Sequence, residues 1–266
     1  MSYEVIVLGG GRMGSAIAEG LSRARPDVSV LVIQRGAAKA ESLARRLAPV
    51  EVAEELSADQ VGESTSVVLC VKPDQAEGVL RAVALAGVRR VVSVVAGLSC
   101  ARLEAGLPEG AAVIRAMPNT PAAIGRGVSA MSGGAHCTRA DLDWTEGLLQ
   151  TLGSVVRVPE SKMDAVSALS GAMPAYLFLV VEALVEAGVH QGLSREVSSQ
   201  LVVETLRGSA ELLVSSSESP EALRHAVTSP GGLTAAGLRV LESRAVRSAF
   251  LEAVASAAER SRQLGR

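Results

Sequence analysis

Between residues 4 and 159, short runs of β-branched and aliphatic residues alternate with stretches of helical period. The runs at 5–8, 28–33, 67–71, 91–95, 112–116, 128–131 and 155–158 are predicted strands, bounded by glycine, proline and polar residues. Between the first two, Met13, Ile17, Leu21 and Ala24 recur every three or four positions, while Arg12, Ser15, Glu19 and Arg23 share the other face. That pattern predicts an amphipathic helix packed on a sheet. The regular alternation is the signature of parallel βαβ units. Further helix starts fall at Ser99 and at Thr138, whose Thr-x-x-Asp spacing to Asp141 makes a capping box.

After Pro159 the strand signal stops, and the pattern predicts helices over 163–169, 175–188, 195–214, 220–227, 234–241 and 245–264. The fold class expected is therefore an α/β Rossmann-type N-terminal domain, residues 1–159, with a C-terminal all-helical dimerisation domain, residues 160–266. No internal repeat or low-complexity linker separates them. The helical half carries Ala and Leu on several faces, more apolar surface than it can cover alone, so a homodimer or larger assembly is expected. The competing arrangement folds it back on the sheet domain. The longest uncharged stretch, 165–181, is broken by Gly171 and Pro174, and a membrane span needs roughly 20 apolar residues, so it reads as a buried helix.

Composition narrows this picture. A chain of 266 residues accommodates two modest domains. Only 2% of it is aromatic, so the core must be built from many small Ala, Val and Leu contacts. The net charge is -2 and the basic residues form no run, which gives no footprint for nucleic acid. The start, Met1-Ser2-Tyr3-Glu4, lacks the basic and apolar regions of a signal peptide, and the expected location is cytoplasmic. Cys70, Cys100 and Cys137 lie far apart and only three His occur, so reduced thiols and no metal are expected.

The sharpest chemistry is at Gly9, Gly11 and Gly14, a Gly-x-Gly-x-x-Gly placed between a strand and an amphipathic helix. Bare backbone there can approach a pyrophosphate, which the helix N-terminus stabilises. At the end of the second strand, where an acid usually holds the ribose of NADH, stand Gln34 and Arg35, with no acid before Glu41. A guanidinium suits a 2'-phosphate, so NADPH is favoured, with NADH left open and a merely solvated Arg35 as the alternative. Val71, Lys72 and Pro73, and then Ala96 and Gly97, lie at two later strand ends that should face the cofactor, although proline and glycine also serve as ordinary punctuation there.

At the other end of the chain, Ser229-Pro230-Gly231-Gly232-Leu233-Thr234 opens a predicted helix, where outward N–H groups and the helix dipole can hold a carboxylate. A plain capping turn reads the same way.

Together these segments resemble the pyrroline-5-carboxylate reductase family. The resemblance rests on the glycine turn with Arg12 and Met13, on Val71-Lys72-Pro73, Val94-Val95-Ala96-Gly97, Ile114 to Pro121, Ser170-Gly171 with Pro174-Ala175-Tyr176, and Ser229 to Thr234. It implies a helical domain that interlocks with a partner's, dimers that commonly assemble five at a time into decamers, and hydride transfer to the imine carbon of L-1-pyrroline-5-carboxylate. It also implies that Met117 and Asn119 line the cleft between nicotinamide and substrate; Asn119 also suits a turn residue bonding its own backbone. Ser229, Gly231, Gly232, Leu233 and Met173 would contact substrate. Thr234 would hydrogen-bond the imine nitrogen, and a protonated imine needs orientation more than a strong acid.

The chain departs from the family where Ala172 and Met173 replace a serine and a glycine, which points either to a different imine or to local repacking. Arg12, Leu233 and His225 are also atypical, and His225 is given no role. A reductase of piperideine or substituted pyrroline carboxylates is one rival reading. A β-hydroxyacid dehydrogenase would need a catalytic lysine, and only Lys39, Lys72 and Lys162 occur, none in the long helix. A cofactor-binding sensor without catalysis is the rival of another class.

Overall fold

The computed structural model describes residues 2–265. Among them, one sheet contains β1 (Tyr3–Leu8), β2 (Val30–Ile33), β3 (Glu51–Ala53), β4 (Val61–Leu69), β5 (Arg90–Ser93), β6 (Ala112–Met117), β7 (Gly127–Gly133) and β8 (Gly153–Arg157). Their spatial order is β3-β2-β1-β4-β5-β6-β7-β8, and each adjacent pair is parallel except β6 with β7. The order reverses direction between β1 and β4, which makes the space beyond their carboxyl ends the place where a ligand binds in such sheets.

Helices α1 (Arg12–Ala24), α2 (Ala37–Leu47), α3 (Pro73–Leu85), α4 (Cys100–Glu104) and α5 (Arg139–Gln150) connect the strands. Side chains alternate across the pleat, so β1 sends Val5 and Val7 into one core and Ile6 and Leu8 into the other. The first core is closed by Ile17, Leu21, Leu43 and Leu149, and the second by Leu80, Val83 and Leu103. Burial on both faces explains why these strands read as continuous apolar runs. Ser99 caps α4 by accepting from the Arg102 N–H at 3.2 Å, and Thr138 and Asp141 form the expected capping box on α5.

The chain forms two compact units, one ending at Ala172 and taking the chain back from Ser256, the other Met173–Ala255. The first includes α6 (Met163–Val166) and a π-helical turn at Ser167–Gly171, where the Ala172 N–H donates to the Ser167 carbonyl at 3.0 Å. The second contains α7 (Met173–His190), α8 (Arg195–Ser215), α9 (Pro220–Ala226), α10 (Leu233–Ser243) and most of α11 (Val246–Leu264). Gly188 lets α7 approach α8, since a Cβ there would lie 2.6 Å from the Ser198 hydroxyl.

Two expectations need correction, and one strand has no counterpart in the sequence pattern. β7 runs antiparallel to β6, so the sheet is not built wholly of parallel units; the link from β6 is a short 3-10 turn, Thr120–Ile124, too brief for a crossover. β3 is absent from the sequence reading because a three-residue edge strand carries too little pattern. Finally, the apolar stretch 165–181 is not buried within one chain: Phe178 is 63% and Leu179 65% exposed. In the second unit only Pro174, Val185 and Ser198 are buried among the described residues, so its apolar faces are left for another surface.

Candidate active site

Each glycine of the turn has its own reason. Gly9 adopts φ +107°, and a Cβ there would sit 2.7 Å from the Cys70 carbonyl oxygen of the neighbouring strand end. A Cβ on Gly14 would collide with the Gly9 carbonyl, so its absence lets α1 start tight against the turn. A Cβ on Gly11 would meet nothing within 4 Å, which leaves that side open to a ligand. The first helical bond of α1 runs from the Ser15 N–H to the Gly11 carbonyl, so the N–H groups of Arg12, Met13 and Gly14 have no partner within the helix. They and the positive end of the helix form an anion site.

A cleft of about 1090 Å³ opens beside this turn. Of the residues expected at the cofactor, Gly9, Gly11, Gln34, Arg35, Val71 and Lys72 line it. Arg12, Met13 and Gly14 start the adjoining helix and Pro73 starts α3, whereas Ala96, Gly97 and Asn119 lie outside its lining. The walls also include Lys39, Glu54, Glu55, Leu56, Gln75 and Val79, which the sequence did not single out. Lys39 is legible in hindsight as the cation one helical turn after Arg35; Glu54 to Leu56 follow the unseen β3. Cys70 borders the cleft, but burial pushes its thiol far up, so it stays protonated. The open side at Gly11, the free N–H groups and the cations fit an extended anionic dinucleotide.

A second group of candidates gathers at the end of β6. Asn119 is buried, and its side chain bonds across the fold: its Nδ2 donates to the Ser170 carbonyl at 3.3 Å, and its Oδ1 accepts from the Val128 N–H at 3.0 Å. It thereby ties β7 to the π-turn. The Met117 methyl lies 2.8 Å from where a Gly171 Cβ would be, so Gly171 makes room for that thioether. Gly97 adopts φ +80°, and the backbone that packs against it is that of Leu264, whose carbonyl lies 3.0 Å from the Cβ position.

Below these residues is an ionic cluster. Arg115, its side chain 8% exposed, lies 3.6 Å from Glu160 and 3.5 Å from Asp164. Glu160 accepts from the Cys100 N–H at 2.6 Å, and Asp164 accepts from the Ser261 hydroxyl at 2.7 Å. Burial, and then the nearby Glu160 carboxylate, push the Cys100 thiol up to about 12.

The remaining candidates lie in the second unit. Gly231 has φ +70°, its neighbour Gly232 is extended and caps α10, and the Gly232 N–H donates to the Ser229 carbonyl at 3.1 Å. The first helical bond runs from the Ala236 N–H, leaving the N–H groups of Leu233, Thr234 and Ala235 without helical partners. Leu233 is 95% exposed; Thr234 is exposed and its hydroxyl has no hydrogen bond among the described residues. Met173, in the same unit, begins α7 and is partly exposed.

A doubly wound sheet with a glycine turn at the reversal of strand order defines a dinucleotide-binding protein of the Rossmann class. Residues 4–97 match the family described as NADP oxidoreductase, coenzyme F420-dependent, and residues 160–264 match pyrroline-5-carboxylate reductase dimerisation. Pyrroline-5-carboxylate reductase of Mycobacterium tuberculosis is 41% identical over 98% of this chain and 96% of its own length. That of Synechocystis is 37% identical over the whole of both chains. The structure of the Coxiella burnetii enzyme aligns with a TM-score of 0.89 at 29% identity, covering 100% of each chain. That of Plasmodium falciparum pyrroline carboxylate reductase, with NADP bound, aligns at 0.85 and 29% identity over 98% of this chain and 99% of that one. The chain belongs to the pyrroline-5-carboxylate reductase family, and it is an NAD(P)H-dependent homo-oligomer.

Proposed function

We propose that the protein reduces L-1-pyrroline-5-carboxylate to L-proline, the last step of proline synthesis, with NADPH as the preferred cofactor. Bound in the cleft, the reduced nicotinamide supplies a hydride to the imine carbon. The N–H groups of α1 and the cations of the cleft hold the dinucleotide. Those of Leu233, Thr234 and Ala235 receive the substrate carboxylate, with Ser229, Gly231 and Gly232 shaping the loop. Thr234 aligns the ring through a hydrogen bond at the imine nitrogen, which keeps its proton and becomes the amine of the product. Met117, Asn119 and Met173 shape the wall around the ring, and Ala96 and Gly97 complete the cofactor side. The free hydroxyl of Thr234, at the start of a helix with open N–H groups, is the observation that carries this reading.

Thr234→Ala tests it. Turnover with the imine is expected to fall by about a hundredfold, the scale of a lost positioning contact in the transition state, while NADPH binding is retained. Unchanged turnover would refute the role of Thr234, and a parent protein that turns over no cyclic imine would leave a non-catalytic binder.

We further infer that residues 1–159 act as the dinucleotide-binding half and 160–266 as the substrate-binding and dimerisation half. The functional unit is a dimer or a decamer of five dimers, working in the cytoplasm on a small molecule without nucleic acid, metal or membrane. By length and composition 160–190 could cross a membrane, but it falls inside the match to the dimerisation family, which supports a partner helix surface instead. Phe178→Glu places a charge on that surface and is expected to shift the protein to monomer in sedimentation analysis; an unchanged assembly would move the interface elsewhere.

A further inference from the structure

We propose that Lys39 joins Arg35 in holding the 2'-phosphate of the dinucleotide, while Gln34 holds the glycine turn and not the ribose; this rests on the reading of the cleft as an NAD(P)H site. Gln34 occupies the strand-end position from which an acid would bind ribose hydroxyls. Its carboxamide makes one hydrogen bond within the chain at each end. Oε1 accepts from the Gly10 N–H at 3.1 Å, and Nε2 donates to the Arg35 carbonyl at 3.0 Å. The side chain therefore fixes the turn that receives the pyrophosphate.

What remains at that corner of the cleft is a pair of cations. Arg35 directly precedes the Gly36 cap of α2, and Lys39 lies in the helix's first turn, its N–H donating to the Gly36 carbonyl at 3.0 Å. Both are exposed and both line the cleft. The other basic residues of α2 are spoken for: Arg45 pairs with Glu41 at 2.7 Å, and Arg46 with Glu19 at 3.3 Å and with the Ser15 hydroxyl at 2.7 Å. Neither Arg35 nor Lys39 has an ion pair or side-chain hydrogen bond among the described residues, although Glu54 and Glu55 line the same cleft. Two unpaired cations one helical turn apart suit a phosphate dianion, the planar guanidinium giving a paired contact and the ammonium a point charge. A ribose hydroxyl in its place leaves both cations without a partner, so the pair selects for the phosphorylated dinucleotide.

The test is calorimetric titration of the full chain with NADP+ and NAD+, without imine, alongside steady-state rates with NADPH and NADH. Lys39→Gln is expected to weaken NADP+ by about tenfold, the scale of one charge-assisted phosphate contact, with NAD+ changed less than about twofold. Lys39→Arg should restore NADP+ binding, and KM for NADPH should rise in Lys39→Gln with kcat unchanged. Equal weakening of both dinucleotides, or of neither, overturns the role of Lys39 while leaving the cofactor reading intact. A parent protein that binds neither dinucleotide overturns the cofactor reading of the cleft, and the proposal with it.

Discussion

Gly11→Ala and Gly14→Ala are expected to fail in opposite ways. A methyl on Gly11 meets no protein atom within 4 Å, and the residue's φ of -69° is one alanine adopts freely, so the free protein should keep its melting temperature. The same methyl projects into the open side of the turn, where the pyrophosphate must come within hydrogen-bonding distance of bare backbone. NADPH affinity should fall by about a hundredfold, equivalent to roughly 2.7 kcal/mol. A methyl on Gly14 instead collides with the Gly9 carbonyl, and backbone cannot swing aside as a flexible side chain can. The start of α1 must lift from the turn, which costs about 1–3 kcal/mol as overpacking and a few degrees of Tm as well as cofactor binding. Calorimetry and thermal melting at fixed protein concentration read both. If the two variants lose stability equally, Gly11 is not the open position described.

Arg115→Met has the largest expected effect on stability. It removes one cation from between two carboxylates, and breaking a fully buried pair this way costs about 3–5 kcal/mol because the remaining charge is left without compensation. Glu160 and Asp164 are 33% and 29% exposed, so water recovers part of that, and about 2–3 kcal/mol is the better expectation. The cause can be separated from lost packing. The triple variant Arg115→Met, Glu160→Gln, Asp164→Asn removes the stranded charges and should recover most of the loss in denaturant unfolding. No recovery would show that Arg115 acts through its stem and not its charge.

How much of this was legible depended on whether the signal was local. Strand β1, the glycine turn and α1 declare themselves because the period changes from continuous apolar to helical across three glycines. The first half of β4 was missed because Gly62, Glu63 and Ser64 carry no strand pattern, yet Tyr3 pairs there with Val61. The direction of β7 was hidden because an apolar run reads the same in either sense. In the 165–181 stretch, hydrophobicity reads as burial, yet within one chain Phe178 and Leu179 stay exposed, because composition does not say which surface an apolar helix meets. Arg35 was found by its place after a strand, whereas Lys39 needed the cleft. Asn119 reads from sequence as a cleft residue or as a turn residue; only the fold shows that Ser170, far along the chain, takes its donor. The ionic cluster at Arg115 draws on Glu160, Asp164 and Ser261, which no local pattern connects.

The contact between Gly97 and Leu264 bears on the order in which the chain can fold. The loop after β5 is closed over by residues made more than half a chain later, and Ser261 likewise completes the Arg115 cluster through Asp164. A growing polypeptide therefore exposes that corner of the sheet unit throughout synthesis of the helical half. Closing so long a loop costs entropy that only the finished contacts return. This seam is accordingly one of the last to form, and it makes completion of the N-terminal unit wait on the far end of α11.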